Sequence, residues 1–246
     1  MSLKGTGLSR QNFAGFNAPS WVVKTKEHDY VAVTRESRPF TNYPQKLASY
    51  LAKRYHIESG ARLLDLGCGR GEFTQAFMGL GIDAEGADVS NFACKVYPDL
   101  KLHIFDLAST PYPFPDNCYD VVFTKSVLEH FYYPEHIMAE IHRLLKPGGL
   151  CINMVPDWRS NRKWFYDGFT HRTPFTPKSL LVLLELFNFS DIQVEKFRQL
   201  PSAWRYPALN ILYALVGAVT PRIMSSKLIR FSKELMLLGT GRKTNE

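Results

Sequence analysis

Between Pro44 and Phe197 the apolar positions of the chain switch repeatedly between two rhythms. Short apolar runs of the kind that form strands buried on both faces occur at Arg62–Leu66, Ala84–Val89, Leu102–Phe105, Tyr119–Phe123, Leu150–Val155 and Ile192–Phe197. Stretches with helical spacing lie between them. Leu47, Tyr50, Leu51 and Tyr55 make one stripe within Pro44–Tyr55, where Pro44 suits the first turn. Further helices are expected at Phe73–Leu80, Ser90–Tyr97, Pro134–Leu145 and Pro177–Phe187, with Ser90 and Thr176 as N-caps. Lys146-Pro147-Gly148-Gly149 should stop the third of these. Strands alternating with helices predict an α/β protein: a mostly parallel sheet with helices on both faces. After the sixth strand the rhythm breaks. Tyr206–Thr220 is almost wholly apolar, and Pro221 interrupts it. Ile223–Lys233 then places Ile223, Met224, Leu228 and Phe231 on one face and Lys227 and Arg230 on the other. We read a helical insertion, followed by a last strand at Leu235–Leu238. The chain thus divides into an N-terminal arm or cap (1–43), a core (44–200), the insertion (201–233), and a last core strand with a tail (234–246).

The first strand runs straight into Gly67-Cys68-Gly69-Arg70-Gly71 and then into a helix. Glycines let backbone N–H groups approach a ligand closely and permit positive φ. In a doubly wound sheet this is the crevice at the carboxyl ends of the strands, where ligands bind. A dinucleotide site would read GxGxxG. Here Glu72 takes the place of the third glycine, an acid at the helix N-terminus where a pyrophosphate would sit. Asp65, just before the first glycine, suits a cationic group such as the amino group of a methionine moiety. Asp88, near the end of the second strand, can accept two hydrogen bonds from ribose hydroxyls. Asp106, after the third strand, can accept one from an adenine amino group. The plainer alternative for both aspartates is a turn or loop residue.

In chain order, LLDLGCGRGEF, EGADVS, FDL, YDVVFTKSVLEHF and LLKPGGLCINMVP resemble the motifs of class I S-adenosylmethionine-dependent methyltransferases, over about Leu63 to Asp157. The resemblance implies a Rossmann-like fold with a seven-stranded, mostly parallel sheet and an antiparallel last strand. It implies S-adenosylmethionine as methyl donor and S-adenosylhomocysteine as product. Asp65, Gly67, Cys68, Gly69 and Gly71 would hold the methionine end, Asp88 and Val89 the ribose, and Asp106 and Leu107 the adenine. Lys125 stands where the family often contacts the cofactor. Leu128-Glu129-His130 is similar to a subgroup that acts mainly on small molecules, lipids and sugars.

Methyl transfer to a hydroxyl requires a base, and histidine titrates near neutrality. The candidates are His130, after the fourth strand, and His171, in the aromatic segment Trp164–Thr176 beyond the fifth. The structural alternative for His130 is a hydrogen bond that shapes the start of the next helix. Trp164, Tyr166 and Arg172 are expected to shape an acceptor pocket, with Arg172 suited to a phosphate or carboxylate. The segment also resembles a Gly-Thr-His stretch of ubiquinone-pathway O-methyltransferases, with Phe169 in place of the glycine. Glu129 with two scattered histidines is a thin donor set for a divalent cation, and no metal is expected.

The net charge is +7, and the segment from Arg222 carries Arg222, Lys227, Arg230, Lys233, Arg242 and Lys243 against Glu234 and Glu246. The excess suits an anionic partner or a solvated basic surface. The apolar stretch Tyr206–Thr220 of the insertion is too short to span a bilayer. A lid or buried helix explains it. A basic amphipathic surface that touches lipid explains it too. Cys68, Cys94, Cys118 and Cys151 show no paired spacing, which fits reduced thiols in a cytoplasmic protein. The N-terminus shows no apolar stretch of a signal peptide. These features favour a methyltransferase acting on a hydroxyl of a small molecule, saccharide or lipid-linked intermediate. An RNA-modifying methyltransferase is the rival, although no recognisable RNA-binding module and no Asn-Pro-Pro-Tyr-type motif is present. A non-catalytic cofactor-binding or membrane-associated protein is the third reading, opposed by the intact glycine and acidic positions.

Overall fold

The computed structural model describes residues 30–220 and 226–244. Its strands are β1 (Arg62–Leu66), β2 (Asp83–Asp88), β3 (Leu102–Ile104), β4 (Tyr119–Lys125), β5 (Leu145–Pro156), β6 (Phe189–Phe197) and β7 (Met236–Lys243). They form one sheet in the order β3-β2-β1-β4-β5-β7-β6. The first five pair in parallel, and β7 runs antiparallel to both β5 and β6. The expected α/β Rossmann-like sheet with its antiparallel last strand is the observed one.

The apolar runs exist because both faces of the sheet are covered. Successive residues point to opposite sides. On one side Leu64, Leu66, Val122 and Cys151 pack against Ile137, Met138 and Ile141 of α5 (Pro134–Leu144) and Leu180 and Leu184 of α7 (Pro177–Leu186). On the other, Leu63, Val121, Phe123 and Ile152 pack with Leu47 and Leu51 of α2 (Tyr43–Tyr55) and Phe77 of α3 (Glu72–Met78). The chain order reverses between β1 and β4, so their carboxyl ends open a crevice at the switch point.

Several boundaries differ from expectation, each for a local reason. Ser90 is not the N-cap of α4 (Phe92–Val96), since Asn91 holds that position. The Ser90 hydroxyl instead accepts from Phe92 N (3.0 Å), closing the turn that leads into the helix. Thr176 does cap α7, in a reciprocal box with Ser179. Lys146-Pro147-Gly148-Gly149 ends α5 but is absorbed into β5, with Gly148 at φ +74°. Part of the expected arm is helical, as α1 (Tyr30–Arg35). The remainder of the arm before Tyr30 lies outside the described residues, as do Pro221, Ile223 and Met224. The insertion holds α8 (Pro201–Arg205), α9 (Leu209–Val219) and α10 (Lys227–Lys233). No helix among the described residues is long and apolar enough to cross a membrane.

Candidate functional site

The crevice at the carboxyl ends of β1, β2, β3 and β4 is a cleft of about 380 Å³. Its floor is the glycine loop. Gly67 has φ +79°, and a Cβ there would stand 2.3 Å from Val127 Cγ2. Only glycine meets both conditions, and this brings the loop after β1 hard against the loop after β4. A Cβ on Gly69 would meet nothing within 4 Å, so the backbone there faces open space. The loop is tied to β2: Gly67 N donates to Ala87 O (2.7 Å), and Gly69 N donates to Asp88 Oδ2 (2.8 Å). Ser90 N donates to the other Asp88 oxygen (2.9 Å). Asp88 therefore shapes the loop and lines the cleft at once.

Four acids line this cleft: Glu72 at the start of α3, and Asp65, Asp88 and Asp106 at different depths. Asp65 is buried at 2% exposure, and its Oδ2 accepts from the Thr74 hydroxyl (2.7 Å). Burial pushes its carboxyl up to about 7, the Thr74 hydrogen bond opposes this, and the Asp88 charge adds to it. Asp88 lies between, and Asp106 is exposed, its Oδ1 accepting from Ala108 N (2.9 Å). Cys68, Val89 and Leu107 also line the cleft. Lys125 closes it from β4, its ammonium 5.5 Å from the Phe73 ring centre and 6.0 Å from that of Tyr43. Burial holds Lys125 down to about 8, and Arg35 adds to this.

Residues not anticipated from the sequence complete the wall. Val31 and Arg35 of α1 line the cleft. Arg70 holds that segment in place, donating to Arg35 O (2.8 Å) and Arg38 O (2.7 Å). Its guanidinium also pairs with Glu72 (2.9 Å). The acid that told against a pyrophosphate is thus a neutralised one. Arg70 was visible within the glycine loop, but nothing local says where its side chain goes.

A second cleft of about 450 Å³ shares Arg35, Lys125, Ser126 and His130 with the first. Its wall includes His171 and Trp164. The histidines meet edge to face, ring centres 4.9 Å apart. His171 Nδ1 lies 2.6 Å from Phe165 O, and a carbonyl can only accept, so Nδ1 carries the proton and Nε2 the lone pair. Burial holds both histidines below the ordinary range, His130 down to about 4 with His171 adding to the shift. Glu129 stands beside them, fully buried, with neither carboxylate oxygen in hydrogen-bond geometry with a partner among the described residues. Burial pushes it up to about 7. The three residues present donor atoms within 4.8 Å of one another. Glu129, His130 and His171 are therefore gathered, not scattered. What joins them is backbone: Arg172 N and Thr173 N both donate to Glu129 O (2.7 and 3.1 Å).

The remaining expected acceptor residues separate. Trp164 faces the second cleft, whereas Arg172 lines the first and lies 5.5 Å from the Tyr132 ring centre. Tyr166 lines neither of these clefts. It is 58% exposed and packs edgewise on Trp158 and Phe165.

A glycine loop, graded acids and a Rossmann-like sheet define an S-adenosylmethionine-binding class I methyltransferase, and the comparisons with known proteins agree. Residues 36–194 match the methyltransferase domain family, and the chain belongs to it. An uncharacterized methyltransferase of Schizosaccharomyces pombe is 32% identical over 135 residues, 49% of this chain and 46% of that protein. A ubiquinone biosynthesis O-methyltransferase of Thiobacillus denitrificans is 34% identical over 101 residues, 37% of this chain and 42% of that protein. The chain thus spans about half the length of these relatives. A S-adenosylmethionine-dependent methyltransferase from Archaeoglobus fulgidus superposes with a TM-score of 0.63 at 20% identity, covering 87% of this chain and 100% of that one. That likeness is one of fold.

Proposed function

We propose that this protein methylates a hydroxyl group of a small-molecule, saccharide or lipid-linked acceptor, with the His130–His171 pair handling the proton. The observation that carries the reading is the pair itself, set at the junction of the two clefts in neutral form. When bound, S-adenosylmethionine supplies a methyl group already activated on a sulfonium. The chain's own part is alignment, exclusion of water and proton transfer. The residues fit that donor: Asp65 for the methionine ammonium, Gly67, Cys68, Gly69 and Gly71 around its backbone, Asp88 and Val89 for ribose, Asp106 and Leu107 for adenine, Lys125 at the reacting end. The acceptor takes the second cleft beside Trp164. Its hydroxyl gives up a proton to His171 Nε2, the lone-pair nitrogen. The Phe165 carbonyl on Nδ1–H then stabilises the imidazolium that forms. His130 packs its ring edge to face against that of His171.

The test is a screen with labelled S-adenosylmethionine against matched hydroxyl and amine acceptors drawn from saccharide and quinone-precursor pools. Hydroxyl compounds should be methylated. His171→Ala should lower turnover by roughly 10²–10⁴-fold, the span of general-base catalysis, with cofactor affinity unchanged. Methylation of amines alone, or unchanged turnover in both His171→Ala and His130→Ala, overturns the reading.

A further inference from the structure

From Arg198 to Lys233 the chain carries Arg198, Arg205, Arg222, Lys227, Arg230 and Lys233, and not one acid. The described part of this segment folds into two surfaces that lie side by side. One is apolar. Ile211, Leu215 and Val219 recur at helical spacing on α9 and are 71%, 60% and 79% exposed, with Leu212 beside them at 51%. The opposite face of α9 does pack. Tyr213 is buried, and Gly217 approaches α10 so closely that a Cβ would stand 3.0 Å from Ser232 O. The outward stripe is therefore not a helix that failed to dock. It is the free face of a helix that is docked on its other side.

The second surface is a basic cavity of about 590 Å³ between α6 (Trp158–Asn161), the residues after it, and α9–α10. Arg159, Arg162, Lys163, Arg198 and Lys233 line it, and no acid does. None of these five makes an ion pair among the described residues. Arg198 and Lys233 donate instead to the carbonyls of Ser232 and Thr220. Asp157, the cap of α6, pairs elsewhere, with Lys196 (3.2 Å). Ala214 and Ala218 of α9 form part of the cavity wall, each three residues on from Ile211 and Leu215 of the apolar stripe. On a helix that spacing makes them neighbours. A pocket for anions thus opens directly alongside a stripe for hydrocarbon.

We propose that α9, α10 and α6 together form a docking surface for an anionic phospholipid bilayer. The apolar stripe enters the boundary with the acyl chains, and the basic cavity receives lipid phosphate groups. The charge of the surface selects this occupant. A protein partner for the stripe alone would leave five clustered cations without counter-charge. Trp164 lines both the basic cavity and the second cleft, so docking brings the acceptor entrance to the lipid surface. The surface does not depend on methyl transfer, and its test needs neither cofactor nor acceptor.

The experiment is vesicle co-sedimentation of the full chain, with phosphatidylcholine vesicles and with vesicles that add phosphatidylglycerol. Binding is expected only to the anionic vesicles, weakening as salt rises. Arg162→Glu with Lys163→Glu should lower the partition coefficient at least about tenfold, since each juxtamembrane cation contributes appreciably at an anionic surface. Ile211→Ser with Leu215→Ser should lower it by about the same factor. All four positions are exposed, and unchanged melting temperature and S-adenosylmethionine affinity would show that the variants fold. Equal binding to both vesicle types, or binding indifferent to the charge reversal, overturns the proposal. So does saturable binding of inorganic phosphate with no vesicle binding, which would make the cavity a site for soluble anions. A dimer abolished by the serine pair, again with no vesicle binding, would assign the stripe to a second copy of this chain.

Discussion

Affinity for S-adenosylmethionine should depend on pH through a single carboxyl, that of Asp65. Its side chain lies at the buried bottom of the cleft where β1 meets α3, with Thr74 as a hydrogen-bond partner, and burial raises it to about 7. A cationic methionine ammonium needs the ionised form. With a pKa near 7, the ionised fraction falls from roughly three-quarters at pH 7.5 to roughly one-tenth at pH 6.0, so affinity should drop about eightfold, or about 1.3 kcal/mol. An ordinary α-amino group is about two-thirds protonated at pH 7.5 and almost fully so at pH 6.0, so the ligand's own titration trims the drop to roughly sixfold. Calorimetry at half-unit steps, in two buffers of different ionisation enthalpy, measures both the affinity and the proton released. Near pH 6 close to one proton should leave per ligand bound. Asp65→Asn should bind weakly and without the slope. Glu129→Gln should keep the slope, although Glu129 is raised to the same region and stands beside the same lysine. Flat affinity from pH 5.5 to 7.5, or a slope that survives in Asp65→Asn, would refute the assignment of Asp65 to the ammonium.

Other consequences can be read with simple assays. Asp88→Ala should weaken S-adenosylmethionine binding at least about a hundredfold, since it removes acceptors for two ribose hydroxyls at about 1.5–3 kcal/mol each; unchanged calorimetric affinity would void the ribose role. Gly67→Ala forces a Cβ against Val127 at positive φ and should cost about 2–4 kcal/mol in denaturant unfolding. Val127→Ala should recover only part of that loss, because the backbone strain remains. Glu129→Gln should stabilise the apo protein above pH 7 by about 1–3 kcal/mol and by nothing near pH 4. The sign follows from the raised carboxyl. Both states are protonated at low pH, the unfolded chain loses its proton first as pH rises, and the folded state bears a penalty that is complete only above about 7. Equal melting temperatures of the two proteins at pH 8 would contradict a burial penalty on the Glu129 carboxylate.

The sheet was legible because its signals are local. An apolar run such as Val121-Val122-Phe123 can be buried on both faces only if helices cover both, which the intervening helical stripes supplied. What local pattern did not show were features decided by packing over distance. Ser90 reads as a cap but closes the turn ahead of Asn91, which holds the N-cap position of α4. Lys146-Pro147-Gly148-Gly149 reads as a terminator and does end α5, yet it falls inside β5, at the register shift between the Tyr119–Leu145 and Val121–Leu150 pairs with β4. The short α1 carries no clear stripe and sits where it does because Arg70 binds the carbonyls behind it.

The same distinction explains why the convergence of the residues proposed for the donor could be read from the sequence and that of the residues proposed for the acceptor could not. Asp65, Gly67, Gly69, Gly71, Asp88 and Asp106 lie within one stretch of alternating strands, and each sits at a strand end whose position the periodicity already marks. Geometry follows from order there, since parallel strands deliver all their carboxyl ends to one edge. The acceptor half has no such rule. His130 comes from the turn after β4 and His171 from an irregular segment after β5, and they meet because Arg172 N and Thr173 N find the Glu129 carbonyl. A backbone hydrogen bond leaves no trace in side-chain identity. Trp164 and Tyr166, two residues apart, part company because Phe165 between them is buried against Trp158. Only the fold decides which of the two faces the cleft. Residue types in that segment therefore announce a pocket without describing it, and acceptor chemistry must be sought through the histidine pair and the walls around it.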